Sequence, residues 1–248
     1  MANSNFGSSN HAGNVGDQAA LDVGLRAHMV RVYNYMASGL ALSGVVAVGL
    51  FSSAELASLF FQVQDGRVVD LSLLGWIAIL APLGLLMLTS FRAAQMSVGA
   101  VQAVYWSVTA LMGVSLSLLM FRYTGASVAR TFFVTAASFG ALSLYGYTTK
   151  RDLTAMGKFL FMGLIGLILA GLVNMFFPSG TMNFIISAAG VLIFSGLIAH
   201  DTQKIKQQYT EALGTEAAEK VAIFGALGLY LNFVNLFQFL MMFMGQRR

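Results

Sequence analysis

Seven runs of mostly apolar residues, separated by short polar segments, set the pattern of the chain. They fall near Val30–Phe51, Leu71–Phe91, Val98–Met120, Ser127–Tyr147, Met156–Phe177, Met182–Ala199 and Val221–Met244. A helix needs roughly 20 such residues to cross the hydrocarbon core of a bilayer, so each run predicts a transmembrane span. Short connections make consecutive spans antiparallel neighbours. The link between spans one and two, 52–70, is longer; its Glu55–Phe61 piece is expected to lie flat on the interface, and Asp65-Gly66 signals a turn. Residues 1–25, rich in Asn, Ser, Gly and Ala, read as a disordered tail. They contain no apolar block of the signal-peptide kind. The chain thus divides into that tail and a seven-helix transmembrane domain, 26–248.

Composition agrees with the pattern. Apolar residues make up 57% of the 248 and charged ones 10%, with a mean hydropathy of +0.75. A soluble domain of this size needs a more polar surface, so the fold class is an all-α integral membrane protein. The absence of cysteine excludes disulfides and thiol chemistry. A net charge of +4 is a topology signal rather than a sign of nucleic-acid binding. With the amino terminus inside, the cytoplasmic segments carry Arg26, Arg31, Arg92, Lys150, Arg151, Lys158, Lys204, Lys206 and Lys220, nine basic residues. The other side carries five: Arg67, Arg122, Arg130, Arg247 and Arg248. That bias predicts a cytoplasmic amino terminus and an external carboxy terminus.

Two polar features interrupt the apolar spans. The first is Asp201, at the end of span six and the one acid between Lys158 and Glu211. A carboxylate held at mid-depth costs about 2.5 kcal/mol or more, so it needs a partner, a proton or a cation. Topology puts Arg92, at the end of span two, on the same side, where the two could close the cytoplasmic mouth. The plainer reading pairs Asp201 with Lys204 on its own helix. The second feature is a stripe on the last span, Gly225, Gly228, Asn232 and Asn235, within about 80° of arc. Such a stripe on an otherwise apolar helix lines a cavity or binds neighbours inside a bundle. Asn232 lies about 17 Å into its span, deeper than an acid at a helix end, so contact with Asp201 asks for tilt or a later start to the span. Gly166 with Ala170, and Ala136 with Gly140, have the spacing of close helix packing. Pro82 frees the carbonyl of Ala78 within span two. Asn174 is expected to form an interhelical hydrogen bond or to sit at the interface, and His200 to be a lone interfacial side chain.

No enzyme chemistry and no cofactor are expected. The last span has no lysine for a Schiff base. A second membrane carboxylate for a protease dyad is missing, and His200 lacks the partners of a hydrolase or metal site. No phosphate loop or dinucleotide fingerprint is present.

The segment His200-Asp201-Thr202-Gln203-Lys204-Ile205-Lys206, followed by Ala226-Leu227-Gly228-Leu229-Tyr230-Leu231-Asn232-Phe233-Val234-Asn235-Leu236-Phe237, resembles the Bax inhibitor family in its bacterial branch. The entry to span one, Arg31-Val32-Tyr33-Asn34-Tyr35-Met36, is similar too, and the resemblance covers roughly 26–245. It implies a last helix central among the other six, a multi-pass protein of the bacterial inner membrane, and a pH-sensitive calcium leak. It further implies that Asp201 pairs with a second aspartate in the last helix, touches calcium in transit, and is latched by an arginine matching Arg92. The second aspartate falls on Asn232, a departure, because an amide cannot share a proton as a carboxylate would. Two functions follow as expectations. One is a calcium-permeable leak gated at Asp201, Arg92 and Asn232. The other is a regulator that contacts another membrane protein, such as a quality-control protease, without conducting ions.

Overall fold

A computed structural model describes the backbone of residues 9–64, 66–211 and 215–248, and side chains from 22 onward apart from 94, 210, 211 and 215. Among the described residues the elements are α1 (Ser9–Ser52), α2 (Ala54–Phe60), β1 (Phe61–Gln64), β2 (Arg67–Leu71), α3 (Leu73–Arg92), α4 (Val98–Arg122), α5 (Gly125–Thr148), α6 (Thr154–Phe176), α7 (Gly180–Glu211) and α8 (Thr215–Met244). Seven of the eight helices, all but α2, are long and apolar enough to cross a membrane. The protein is an all-α integral membrane protein with one small hairpin. Of the expected tail, residues 1–8 lie outside the described residues, whereas the backbone of 9–25 is helical and continuous with the rest of α1, which corrects the expectation of disorder there.

Polar residues at the borders of the apolar runs start the helices. Ser72, Ser97 and Thr124 accept hydrogen bonds from the backbone N–H of Gly75, Ala100 and Ser127, satisfying donors that a first turn leaves open. The link after α1 is more ordered than its sequence suggests. Glu55–Phe61 is nearly all in α2, and the turn signal joins β1 antiparallel to β2, with Gly66 at φ 73°. A β-hairpin turn of this kind favours glycine at positive φ. Four- and five-residue strands are too short to show a period in the sequence.

The last helix is central. In α8, 56% of the most apolar stretch is buried, against 11–33% in the other six spans. Its neighbours are α7, α1, α5 and α4. This corrects the expectation of six surrounding helices, because α3 packs on α4, and α6 on α7, in an outer layer. Pro82 is buried within α3, which runs unbroken across it.

The small-residue pairs Gly166/Ala170 and Ala136/Gly140 do not mediate close packing, since an added Cβ at Gly140 or Gly166 would meet nothing within 4 Å. Close approach occurs instead at Gly146, where a Cβ would drive into the carbonyl of Ala199, and at Gly157 and Gly196, which lie against His200 and Leu160. Asn174 bridges α6 and α7: its Nδ2 donates to Asn183 Oδ1 (2.9 Å), and its Oδ1 accepts from the N–H of Ser179 (3.1 Å).

Candidate functional site: the Asp201 bracket between α7 and α8

Helix α7 does not end at Asp201. Residues 202–208 contain no helix breaker, and Ile198, Thr202 and Ile205 continue one buried face, so the helix runs on to Glu211. Asp201 therefore stands inside a helix rather than at its edge. Helix α8 likewise begins at Thr215, earlier than expected. The extension of α7 sets Asp201 well inside its helix, and its side chain meets Asn232 even though α8 starts earlier, not later, than expected.

The residues of the motif each hold a different part of the bundle. Asp201 Oδ2 accepts a hydrogen bond from Asn232 Nδ2 at 2.7 Å, and Oδ1 lies 2.9 Å from His200 Nδ1. The carboxylate is bracketed, one oxygen to each neighbour. Its side chain is 28% exposed, whereas Asn232 is 7% exposed. Only the Nδ2 side of the amide can donate, so an ionised Asp201 fixes which way Asn232 points and leaves Oδ1 as an acceptor. Buried Thr202 shares a hydrogen bond with Ser143 (3.0 Å), which shares another with Tyr33 (2.7 Å), so hydroxyls join α7, α5 and α1. Gln203 closes the start of α6: its Oε1 accepts from the N–H of Leu153 (2.9 Å) and its Nε2 donates to the carbonyl of Arg151 (2.8 Å). Lys206 donates to the carbonyl of Tyr147 (3.0 Å) and lies 4.9 Å from the centre of that ring.

Several expected participants lie elsewhere. Arg92 is exposed at the end of α3, in the outer layer, and makes no ion pair with Asp201; nor does Lys204. The expected latch is thus not made, because α3 packs on α4 rather than on α7. On α8, Gly225 packs under Ile205, Gly228 faces open space, and Asn235 Nδ2 donates to Leu231 within its own helix (2.8 Å). Of the polar stripe, only Asn232 reaches Asp201. His200, read from sequence as a lone side chain, is a member of the site. A cleft of about 560 Å³ between α6 and α7 reaches it past Gly157, Lys158 and Gln203. The signals for it were its place beside the acid and the glycine 43 positions earlier, but no spacing rule links the two.

Among the described residues no three His, Asp or Glu side chains converge on one point. A cation at this place would meet one carboxylate, whose oxygens already face Asn232 Nδ2 and His200 Nδ1. Oxygen ligands suit calcium, but one carboxylate makes a weak, transient stop rather than a storage site.

Sequence comparisons place these features in a family. The family model described as Inhibitor of apoptosis-promoting Bax1 matches residues 25–248. The chain is 49% identical to an uncharacterized protein of Caulobacter vibrioides, over 92% of each chain. It is 42% identical to inner membrane protein YbhL of Escherichia coli strain K12, over 91% of this chain and 94% of that one. With the match spanning every membrane helix and the whole Asp201 motif, this multi-pass membrane protein belongs to the Bax inhibitor family.

Proposed function

We propose that the protein is a calcium-permeable leak pathway of the inner membrane, its closed state held by the Asp201 bracket. The amino terminus faces the cytoplasm in this reading, following the nine-to-five split of basic residues. YbhL, a relative covered over nearly its full length, is an inner membrane protein.

The observation that carries the reading is the 2.7 Å bond from Asn232 to Asp201, a partly exposed carboxylate inside a seven-span bundle and beside its central helix. An acid is expensive there unless it binds something. Ionised, it accepts from α8 with one oxygen and faces His200 with the other, tying α7 to α8. Protonated, it loses the charge that strengthens those bonds. Acidification therefore loosens the bracket, and a cation arriving at the carboxylate competes with Asn232 for the same oxygens. Proton and calcium act on one group. Arg92, outside the bracket, has no part in this closed state. The pathway needs no covalent step, so we assign no enzymatic activity.

The replacement of a second carboxylate by Asn232 is the observation that favours a second reading, regulation of another membrane protein by helix contacts. The purified full chain in calcium-free liposomes separates the two. Calcium entry above that of protein-free vesicles, rising as pH falls, supports the leak. Entry no faster than in protein-free vesicles at any pH rejects it and leaves the regulatory reading, in which deletion of residues 1–25 would change the chain's cellular effect.

A further inference from the structure

At the end of the bundle opposite Asp201, β2, the last turn of α4 and the residues after α8 enclose a cleft of about 850 Å³. Four of the chain's fourteen basic residues line it: Arg67, Arg122, Arg247 and Arg248. The ion pairs among the described residues are His200–Asp201 and Lys220–Glu216, so none of the four is paired with a described acid. Asp70 also lines the cleft, but its Oδ1 accepts from the N–H of Leu71 (2.7 Å) and binds no guanidinium.

The arginines are held together by main chain and rings, not by counter-charge. Tyr123 pairs with Arg247 in an antiparallel bridge, Thr124 N–H donates to the carbonyl of Gln246 (3.0 Å), and Arg248 N–H donates to that of Arg122 (3.1 Å). Arg248 lies over the ring of Phe51 at 5.0 Å, and Arg122 over that of Tyr123 at 5.8 Å. Aromatic faces steady a guanidinium while leaving its N–H groups available. Like charges collected this way repel one another unless an anion joins them.

The geometry points to a site for a phosphate group, presented by the headgroup of an acidic phospholipid. Guanidiniums match phosphate oxygens in paired hydrogen bonds, which favours this anion over a halide. Lipid is favoured over free phosphate by position. Arg122 ends a membrane span, and Leu118 and Phe121 on the same helix give the cleft an apolar wall against which a lipid tail can lie. The side is also the one that carries fewer basic residues, yet four of its five gather here. A topology signal alone would scatter them.

The test titrates the purified full chain, in neutral detergent, with short-chain phosphatidylglycerol, short-chain phosphatidylcholine or inorganic phosphate, reading calorimetric binding. Saturable binding of phosphatidylglycerol, about tenfold or more tighter than phosphatidylcholine, is expected, with a similar loss in Arg122→Gln/Arg247→Gln. Arg67→Gln, on the exposed hairpin away from the bridge, should lose affinity without disturbing the fold, which guards against a misfolded double variant. Equal binding of the two lipids, or unchanged binding in Arg67→Gln and the double variant, overturns the proposal. Inorganic phosphate binding as tightly as phosphatidylglycerol overturns the assignment to lipid.

Discussion

Asn232 on α8 gives its Nδ2 hydrogen to Oδ2 of Asp201 on α7 across 2.7 Å, tying the central helix to the one that carries the motif. Because the donor is an amide, the acid has no second carboxylate with which to share a proton. In the proposed gate, protonation would act on this single carboxylate, whose other oxygen lies beside His200.

Replacing Asn232 with Asp places two carboxylates where a carboxylate and an amide now meet. Like charges at that distance resist joint ionisation and titrate as a unit, which holds a proton to higher pH. The pH midpoint of calcium leak from liposomes should rise by about 1 unit or more. An unchanged midpoint would mean that Asn232 serves packing alone.

Arg92 stands apart from this arrangement. Arg92→Ala should leave leak at neutral pH within about twofold of the unchanged chain, since no buried bond is lost. Leak as high as that of Asp201→Asn would show that a state latched by Arg92 governs closure.

The division between what the sequence revealed and what it hid follows physical lines. Spans were legible because a bilayer imposes length and apolarity on every crossing segment. The motif marked Asp201 and Asn232 because polar groups are costly inside such spans. Partners were not legible. Spacing shows that Gly166 and Ala170 share a face, yet not which way that face turns, and Gly166 looks outward while Gly146 takes the close contact. The apolar run stops at Ala199 before Asp201, but hydropathy does not mark where the helix stops, and α7 continues to Glu211 with Lys206 bonded to Tyr147. Sidedness puts Arg92 and Asp201 at one membrane face, which fixes depth and says nothing of lateral position. The role of Gln203 at the start of α6 depends on a contact 50 positions away.

Gly146 tests the packing behind the site. A side chain there would push into the Ala199 carbonyl, two residues before Asp201, and force α5 from α7. Gly146→Val should lower stability in detergent by ~1–3 kcal/mol, read from denaturant or thermal unfolding. An unfolding midpoint equal to that of the parent would contradict the close approach.

One further acid separates fold from gate. Asp152, in the exposed turn before α6, has its carboxyl held below the usual carboxylate range because the Thr154 hydroxyl (2.6 Å) and then its N–H (2.9 Å) donate to it. A folded-state value below the unfolded one stabilises above the ordinary carboxylate range, and that contribution is lost as pH falls through the lowered value. Asp152→Asn should therefore flatten the acid side of a stability profile slightly and leave the pH dependence of leak in place. If leak lost its pH dependence instead, the sensor would be at the head of α6 and not at Asp201.

The most direct measurement of the central claim is calcium flux into proteoliposomes against pH, for the unchanged chain and Asp201→Asn side by side. Asparagine imitates a carboxyl that has lost its charge, so the variant should leak at neutral pH as the parent does in acid, with a flat profile. A variant that stays closed at neutral pH and opens on acidification like its parent would contradict the account, because the responding proton would then sit on another group.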